Sequence, residues 1–293
     1  MSAPTSSPQL DVCIVAWRSQ EVLPTCLRSL AGRPEVGRVV VVDNASGDGT
    51  VELVRAEFPG VHVIANPNNA GFATANNQAL HVSTAPFVML LNPDTEVPPG
   101  ALEVLLKVMA EDPRIGAVAP QLRLRDGSVQ RSCRGFPEPG AILFEALGLA
   151  RLFPRNGAVS RYRLRNWDHR SRRDCDQPMA SALLLRRSAL DEVGLFDERF
   201  PLYFNDVDLC YRLRQAGWRI VFEPAAKVNH YHGHSTGQVR PRAILDSHRS
   251  LLRFWRLHYR GRTNALTYAA AVALAWLSMW PRAGLARLRA GRE

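Results

Sequence analysis

Two apolar runs each end on a carboxylate, and these carboxylates are the first candidates for chemistry. The runs occupy residues 39–44 and 87–94, and they end in Asp43-Asn44 and in Asn92-Pro93-Asp94. A short apolar run bounded by polar and turn residues predicts a strand buried on both faces, and ligands bind at the carboxyl ends of parallel strands. We therefore expect Asp43 and Asp94 to face one crevice.

An amide-rich segment, residues 66–77, lies between these two runs and leads into a helical pattern. A turn that opens a helix directs backbone N–H groups and side-chain donors towards one point, where negative charge is favoured. Together with the strand ends, this segment predicts a site for an anionic, nucleotide-like ligand.

Strand and helix patterns alternate through the first 120 residues, which predicts right-handed crossovers and a parallel sheet. Thr50 is expected to cap the second helix. The predicted strands are 11–17, 39–42, 61–65, 87–91 and 115–119, and the predicted helices are 21–30, 50–58, 70–82 and 100–111. Later segments are a hairpin at 122–129, a variable insert at 132–177 with a short helix in 141–153, a strand at 179–185, a helix at 206–216, and strands at 218–222 and 226–229.

Length and cysteine content limit the class of protein. The chain has 293 residues with 46% hydrophobic content, enough for one large α/β domain with an appendage. Its five cysteines are scattered and include no CxxC pair, which favours a reducing cytosol. The first ten residues have neither a basic head nor an apolar core, so they do not resemble a secretory signal. We expect the catalytic part in the cytoplasm.

The formal net charge of +10 allows nucleic acid, anionic lipid or phosphorylated substrates as partners. Nearly all of this charge is arginine, concentrated in 151–187 and 240–262. No interleaving of aromatic and basic residues supports a nucleic-acid-binding protein, so we expect no nucleic-acid partner. A solvated basic face is the alternative explanation for most of these arginines.

Six motifs, taken in order and spacing, resemble glycosyltransferase family 2 across about residues 11–260. They are 39–44, 69–77, 92–94, 194–200, 205–210 and His230. Within the family, the Asn-Pro-Asp form and the sequence around Phe196 look most like bacterial rhamnosyltransferases of cell-surface polysaccharide assembly. The resemblance implies a GT-A fold: a Rossmann-like, mostly parallel sheet flanked by helices. It places a nucleotide-sugar glycosyltransferase domain at 1–240 and a C-terminal helical appendage at 241–293.

The resemblance also implies inverting transfer from a nucleotide sugar, assisted by Mg or Mn. Asp94 supplies the oxygen ligand that such an ion prefers, and His230 adds an imidazole. Asn92 stands where many relatives carry the first Asp of an Asp-x-Asp motif, and an amide is a weaker ligand. His232 and His234 are expected to be surface or supporting residues.

Asp206 matches the family's catalytic base, which takes the proton of the acceptor hydroxyl. It lies in the first turn of its predicted helix, where the N-terminal dipole favours the ionised carboxylate. For Asp208 we expect only a capping role. Asn205 replaces the usual acidic residue and is expected to cap the helix or to bond an acceptor hydroxyl.

Asp43 is expected to contact the nucleotide base or ribose, the alternative being an Asx turn that ends the strand. Trp17 would border the base, although an ordinary core aromatic is also consistent with its position. The nucleotide-sugar-binding residues implied by the resemblance are Trp17, Asp43, Asn44, Gly71, Asn77, Asn92 and Asp94.

The uncharged segment 263–281 lies between arginine clusters and is rich in Ala, Leu, Trp and Tyr. Its length would just span a bilayer of ~30 Å, but its alanine content makes it only mildly apolar. We expect a helix in the membrane interface, with Trp276 and Trp280 near the headgroups, at the cytoplasmic face. A helix packed on the catalytic domain is the alternative.

Three functions remain open. The first is transfer of rhamnose from dTDP-rhamnose to a glycan or lipid-linked acceptor. The second uses another donor, UDP-galactofuranose or a UDP-N-acetylhexosamine, with the same residues. The third is a non-catalytic sugar-nucleotide-binding protein, suggested by Asn92 and Asn205 but opposed by the presence of Asp94, Asp206 and His230.

Overall fold

A computed structural model describes residues 9–147, 162–164, 166–231 and 240–290. The described helices are α1 (Leu23–Leu30), α2 (Thr50–Glu57), α3 (Phe72–Val82), α4 (Ala101–Glu111), α5 (Pro139–Ala146), α6 (Arg187–Val193), α7 (Asn205–Gln215), α8 (Arg240–His258) and α9 (Ala265–Ala290). The described strands are β1 (Leu10–Ala16), β2 (Val36–Asp43), β3 (His62–Ala65), β4 (Phe87–Leu91), β5 (Thr95–Glu96), β6 (Ile115–Arg123), β7 (Cys133–Arg134), β8 (Arg173–Asp174), β9 (Gln177–Pro178), β10 (Ala182–Arg186) and β11 (Arg219–His230).

One central sheet has the order β3-β2-β1-β4-β10-β6-β11-β5, and β8 also pairs with β11. The first four strands are parallel, joined by α1, α2 and α3, as the alternating pattern predicted. β10 is antiparallel to both neighbours, β4 and β6. The sheet is therefore mixed, with its longest parallel portion at the amino-terminal half.

Alternate residues of β1 enter hydrophobic cores on opposite faces of the sheet. Val12 and Ile14 belong to the core that packs against α1 and α4. Cys13 and Val15 belong to the core that packs against α3, α6 and α7. This period-two pattern of fully buried side chains explains why the strand sequences are continuously apolar.

Two predictions of local structure were wrong. Thr50 does not cap α2: the preceding residue is Gly49, and Asp48 accepts hydrogen bonds from both Thr50 N, at 3.1 Å, and Thr50 Oγ1, at 2.5 Å. The two late strands are one strand, β11, whose register shifts between Glu223 and Lys227. The irregular residues at this shift resembled a loop in the sequence.

The C-terminal helices pack on the rest of the protein through a third apolar cluster. It joins Phe254 and Trp255 of α8 to Tyr211 of α7, and it includes Ala271 and Ala275 of α9. α9 also packs along α5, the part of the predicted 141–153 helix that the structure describes. The predicted helical appendage is therefore attached to the helix that carries Asp206.

The other face of α9 is apolar and exposed. Leu266 is 82% exposed, Leu277 74%, Trp280 59% and Trp276 51%. Within the described residues, no helix is both long and apolar enough to cross a membrane.

Candidate active site

The two candidate strand ends lie at the same edge of the sheet. Asp43 ends β2 and pairs with Ala16 of β1, while Leu91 ends β4 and pairs with Ile14 on the other side of β1. Neighbouring strands are about 4.8 Å apart, so Asp43 and Asn92 are separated by roughly 10 Å across the sheet. This is a span that a nucleotide and its phosphates can bridge.

Asp43 has one carboxylate oxygen that no described residue bonds. Its Oδ2 accepts a hydrogen bond from Ser46 N at 3.1 Å, so the expected Asx turn is present. Its Oδ1 is buried and has no hydrogen-bond partner among the described residues. Asp43 also lines a cavity of about 280 Å³, together with Ser46, Gly47, Gly49, Thr50, Val51 and Glu52. Since an unpaired buried carboxylate oxygen is costly, this atom is suited to accept an N–H or O–H from a bound molecule.

Trp17 lies at the end of β1 and is half-buried. The guanidinium of Arg18 sits over its ring, 5.0 Å from the centroid. Arg18 N donates to Ser46 Oγ at 2.9 Å, which ties this segment to the turn after Asp43. Trp17 is thus next to the Asp43 turn, and its contact with a base stays a prediction.

Asn44 holds the amide-rich segment in place. Its Oδ1 accepts hydrogen bonds from Ala70 N at 2.9 Å and from Asn66 Nδ2 at 3.2 Å. Its Nδ2 donates to Asn69 Oδ1 at 2.9 Å. Both ends of the Asn44 amide therefore have protein partners, and its predicted contact with the ligand remains untested.

The sequence predicts that the first amides of α3 face an anionic ligand. In the structure they instead donate to the carbonyl of Pro201. Phe72 N donates to Pro201 O at 2.6 Å and Ala73 N donates at 3.3 Å. Gly71 permits this approach, because its φ is +89° and an added Cβ would lie 2.9 Å from Pro201 O. The expectation was wrong because a distant loop satisfies these N–H groups. In this structure Gly71 has a loop-packing role.

Asn77 is similarly engaged by the motif at 194–200. Its Nδ2 donates to Phe196 O and to Glu198 Oε1, both at 2.9 Å. Its Oδ1 accepts from Phe196 N at 3.0 Å. The Asn77 amide thus fixes that motif on α3, and its predicted nucleotide-sugar contact remains a prediction.

Asp94 and His230, the predicted metal ligands, lie together. His230 Nε2 is 3.4 Å from Asp94 Oδ1, and both residues are buried. Tyr231 N donates to Asp94 O at 2.9 Å, which holds the end of β11 against this turn. Asn92 Nδ2 is 3.5 Å from the same His230 nitrogen and 3.2 Å from Ser181 Oγ.

These two side chains fit part of a divalent metal site. Two ligand atoms each about 2.1 Å from one ion, at a right angle, are about 3 Å apart. The observed 3.4 Å is close to that separation. Among the described residues no group of three or more His, Cys, Asp or Glu side chains could hold an ion; His232 and His234 lie outside them. Mg²⁺ is commonly held by one or two protein carboxylates with substrate phosphates, so a bound diphosphate would complete the set.

Asp206 lies in the first turn of α7 and retains partial solvent exposure. Its Oδ1 accepts from Val207 N at 2.8 Å and its Oδ2 accepts from Ala180 N at 3.4 Å. Burial raises the pKa of Asp206, and these backbone hydrogen bonds oppose the rise only in part. The helix dipole alone would lower the pKa of Asp206, but desolvation of the carboxylate outweighs the dipole and raises that pKa.

The segment Ala180-Ser181 connects Asp206 to the turn that carries Asn92 and Asp94. Ala180 N donates to Asp206, while Ser181 O accepts from Asn92 N at 2.9 Å. Asp206 and Asn92 are therefore held on neighbouring residues of one segment. The structure brings together Asp206, Asn92, Asp94 and His230.

Asp208 and Asn205 do not cap α7, and the expected bond from Asn205 to an acceptor hydroxyl stays a prediction. Asp208 does not cap α7 but is buried between Arg212 Nε, at 2.7 Å, and His258 Nε2, at 2.7 Å. Asn205 Nδ2 donates to Leu202 O at 2.8 Å and to Phe200 O at 3.3 Å, so it holds the preceding loop. The contact with His258 depends on tertiary structure that the local pattern could not predict, whereas Arg212 lies four residues after Asp208 on the same helix.

Three residues of this region had no signal in the sequence. They are Pro201, Ser181 and Gln130, whose Oε1 is 2.8 Å from His230 Nδ1.

A larger cavity of about 680 Å³ contains none of the predicted site residues. It is lined by Gln121, Arg123, Gly127, Ser128, Val129, Arg170, Glu223, Pro224, Ala225 and Lys227.

The model of one protein family, described as glycosyl transferase family 2, matches residues 11–194. The chain belongs to glycosyl transferase family 2. The match includes Asp43 and Asp94, whereas Asp206 and His230 lie beyond it.

This family 2 glycosyltransferase is similar to a curated protein of Mycobacterium tuberculosis. That relative, N-acetylglucosaminyl-diphospho-decaprenol L-rhamnosyltransferase, is 35% identical over 223 residues, which cover 72% of each chain.

Solved structures share its GT-A fold. GalNAc-T7 with UDP, GalNAc and Mn²⁺ superposes with a TM-score of 0.63 at 13% identity, covering 87% of this glycosyltransferase and 49% of that chain. The mannosyltransferase PcManGT of Pyrobaculum calidifontis, in complex with GDP-Man and Mn²⁺, has a TM-score of 0.58 at 20% identity, with coverage of 99% and 76%. The expected α/β fold is thereby confirmed.

Proposed function

We propose that this glycosyltransferase transfers rhamnose from dTDP-rhamnose, with inversion, to a lipid-linked acceptor in cell-surface polysaccharide synthesis. The observation that carries the proposal is the 35% identity, over 72% of both chains, to a mycobacterial L-rhamnosyltransferase whose name specifies a diphospho-decaprenol acceptor. The residues described above supply a candidate nucleotide acceptor, two candidate metal ligands and a candidate base, which supports such a transfer.

The nucleotide is expected to bind at the Asp43 end of the sheet edge. Asp43 Oδ1 accepts a hydrogen bond from the base or the ribose, because it is the buried acceptor without a described partner. Trp17 borders the base from the end of β1. Asn44 acts indirectly, by holding the turn at Ala70 that closes this end of the crevice.

Asp94 and His230 would hold Mg²⁺ or Mn²⁺, with Asn92 beside them. The ion, when bound, stabilises the negative charge that develops on the leaving diphosphate. Two neighbours of the same fold, GalNAc-T7 and PcManGT, were crystallised with Mn²⁺, which supports a divalent ion here.

Asp206 acts as the general base. Its carboxylate takes the proton of the acceptor hydroxyl while that oxygen bonds to the anomeric carbon, and the bond to the diphosphate oxygen breaks on the opposite face. The pKa of Asp206 is raised by burial, and a carboxylate with a raised pKa is a stronger base. Its link to Asn92 through Ala180-Ser181 fixes it relative to the metal pair.

A panel of nucleotide sugars tests the donor. Purified protein is incubated with dTDP-rhamnose, UDP-galactofuranose or UDP-N-acetylglucosamine, and hydrolysis and thermal protection are measured with and without Mn²⁺. We expect dTDP-rhamnose to give the largest response. Asp43→Ala should weaken nucleotide binding about tenfold or more, since a hydrogen bond to a charged acceptor contributes about 1.5–3 kcal/mol.

Other outcomes identify the alternatives. A larger response to a UDP-sugar would replace rhamnose by that sugar. Protection from melting by a donor, without hydrolysis or transfer to any acceptor, would indicate a non-catalytic sugar-nucleotide-binding protein. Unchanged affinity in Asp43→Ala would place the nucleotide elsewhere.

A further inference from the structure

The two ring nitrogens of His230 face different partners. Nδ1 is 2.8 Å from Gln130 Oε1, whereas Nε2 faces Asp94 Oδ1 at 3.4 Å and Asn92 Nδ2 at 3.5 Å. An amide oxygen accepts hydrogen bonds and cannot donate them, so the short contact requires the proton on Nδ1. In the neutral ring, Nε2 then carries the lone pair and points it at Asp94.

The Gln130 amide has a defined orientation. Its Nε2 end lies 3.9 Å from the sulfur of Met179, a weak acceptor that suits the NH₂ group, which leaves Oε1 for His230. Its backbone N donates to Leu122 O at 2.9 Å, immediately after the hairpin at 122–129. The hairpin that follows β6 therefore places Gln130 next to His230 on the neighbouring strand β11.

We propose that Gln130 is a positioning residue for the divalent metal. It fixes the tautomer and the ring orientation of His230, so that Nε2 and Asp94 Oδ1 are presented together to the ion. A ring nitrogen that binds a metal is commonly oriented by a hydrogen bond at the other nitrogen, and loss of that partner typically lowers metal affinity 10–100-fold. The inference rests on the metal assignment within the proposed function.

Two substitutions at Gln130 separate hydrogen bonding from packing. Gln130→Met keeps the length of the side chain but removes the acceptor, whereas Gln130→Glu keeps an acceptor oxygen. Gln121→Met is the matched control, because Gln121 is a second glutamine beside β11, but its Nε2 donates to His169 O at 2.7 Å instead of contacting His230. Mn²⁺ affinity is measured by calorimetry in the presence of dTDP, and thermal melting reports folding.

We expect Gln130→Met to weaken Mn²⁺ binding about 10–100-fold, and Gln130→Glu and Gln121→Met to stay near the wild-type affinity. In transfer assays, Gln130→Met should raise the Mn²⁺ concentration needed for half-maximal rate more than it lowers the rate at saturating Mn²⁺. Equal losses in Gln130→Met and Gln130→Glu would assign Gln130 to packing and overturn the inference. Wild-type affinity in Gln130→Met would overturn it as well.

Asp94→Ala and His230→Ala distinguish this inference from the metal assignment itself. If both lose Mn²⁺ affinity while Gln130→Met retains it, the metal site stands and the role of Gln130 is rejected. If His230→Ala and Asp94→Ala both bind Mn²⁺ as the wild type does, the metal assignment is wrong. The role of Gln130, which depends on that assignment, is then rejected as well.

Discussion

Individual side chains of the site divide into those that are open to a ligand and those that hold the site together. Asp43 keeps a buried oxygen without a partner among the described residues, whereas the amides of Asn44 and Asn77 bond protein groups at both ends. All three occur in family motifs and looked equivalent in the sequence. Only the contacts made by each side chain separate an oxygen without a described partner from amides that support the loops.

Asp206→Asn tests the base at the scale of one atom. The substitution removes proton acceptance while nearly preserving shape, so transfer should fall by about 10²–10⁴-fold and donor affinity should change little. Transfer to acceptor and calorimetric binding of the donor are measured on the same preparation. Wild-type transfer by Asp206→Asn would reject Asp206 as the base.

Because the pKa of Asp206 is raised, both the transfer rate and the stability of the fold should depend on pH in a way that tests its role. The base is inactive when protonated, so transfer should fall as pH decreases, at a pH above the ordinary Asp value of about 3.9. Because the folded pKa exceeds the unfolded one, ionised Asp206 destabilises the fold at pH values above both, and this cost disappears as pH falls below both. Asp206→Asn removes the cost, so its melting temperature at pH 7 should equal or exceed that of the wild type.

Whole elements show where prediction from sequence succeeds and where it stops. The parallel strands and their polar ends were predictable, because Asp43 and Asn92 directly follow runs that are buried on both faces. The antiparallel direction of β10 could not be predicted from the sequence, since a buried apolar run has the same pattern in either direction. The ligand-facing role given to the start of α3 failed because Pro201, far along the chain, provides the carbonyl that these amides bind.

Asp208 couples two helices and provides a prediction at this scale. It is 1% exposed and bonds Arg212 within α7 and His258 on α8. Asp208→Ala leaves Arg212 and His258 without their carboxylate, which typically costs about 3–5 kcal/mol for a buried pair. Urea denaturation should report a loss of that order, somewhat reduced because Arg212 also donates to the carbonyls of Val193, Gly194 and Leu195.

Asp191→Ala is the matched control, because Asp191 is an exposed aspartate on α6. Its effect should stay within about 0.5 kcal/mol, as for ordinary surface substitutions. Similar stabilities of the two variants would show that the ion pairs of Asp208 contribute little to attaching α8.

At the scale of the whole molecule, α9 is apolar on two faces. One face carries Ala271, Ala275 and Met279 into the protein, and the other exposes a strip that runs from Leu266 to Trp280. The segment 263–281 contains no charged residue, and arginines precede and follow it. Both expected roles of this segment therefore have a physical basis, because packing uses one face and leaves the other for a membrane surface.

We predict that this strip docks the enzyme on anionic membranes, where the proposed lipid-linked acceptor would lie. Removing all of α9 would also uncover the cluster around Trp255, so substitution of the exposed residues alone is the sharper experiment. The four residues replaced by Gln are Leu266, Trp276, Leu277 and Trp280. Partial burial of each contributes on the order of 1 kcal/mol, so partition into phosphatidylglycerol vesicles should fall at least about a hundredfold.

The flanking arginines add a term of about 1 kcal/mol each near an anionic surface, and salt screens that term. Wild-type binding should therefore weaken in high salt and on phosphatidylcholine vesicles, and the residual binding should depend on the four apolar residues. The quadruple variant should keep the melting temperature and donor hydrolysis of the wild type, because its buried face is untouched, while transfer to lipid-linked acceptor slows. Equal vesicle binding by variant and wild type, or a wild type that never sediments with vesicles, would leave α9 as a packed structural helix and reject the membrane role.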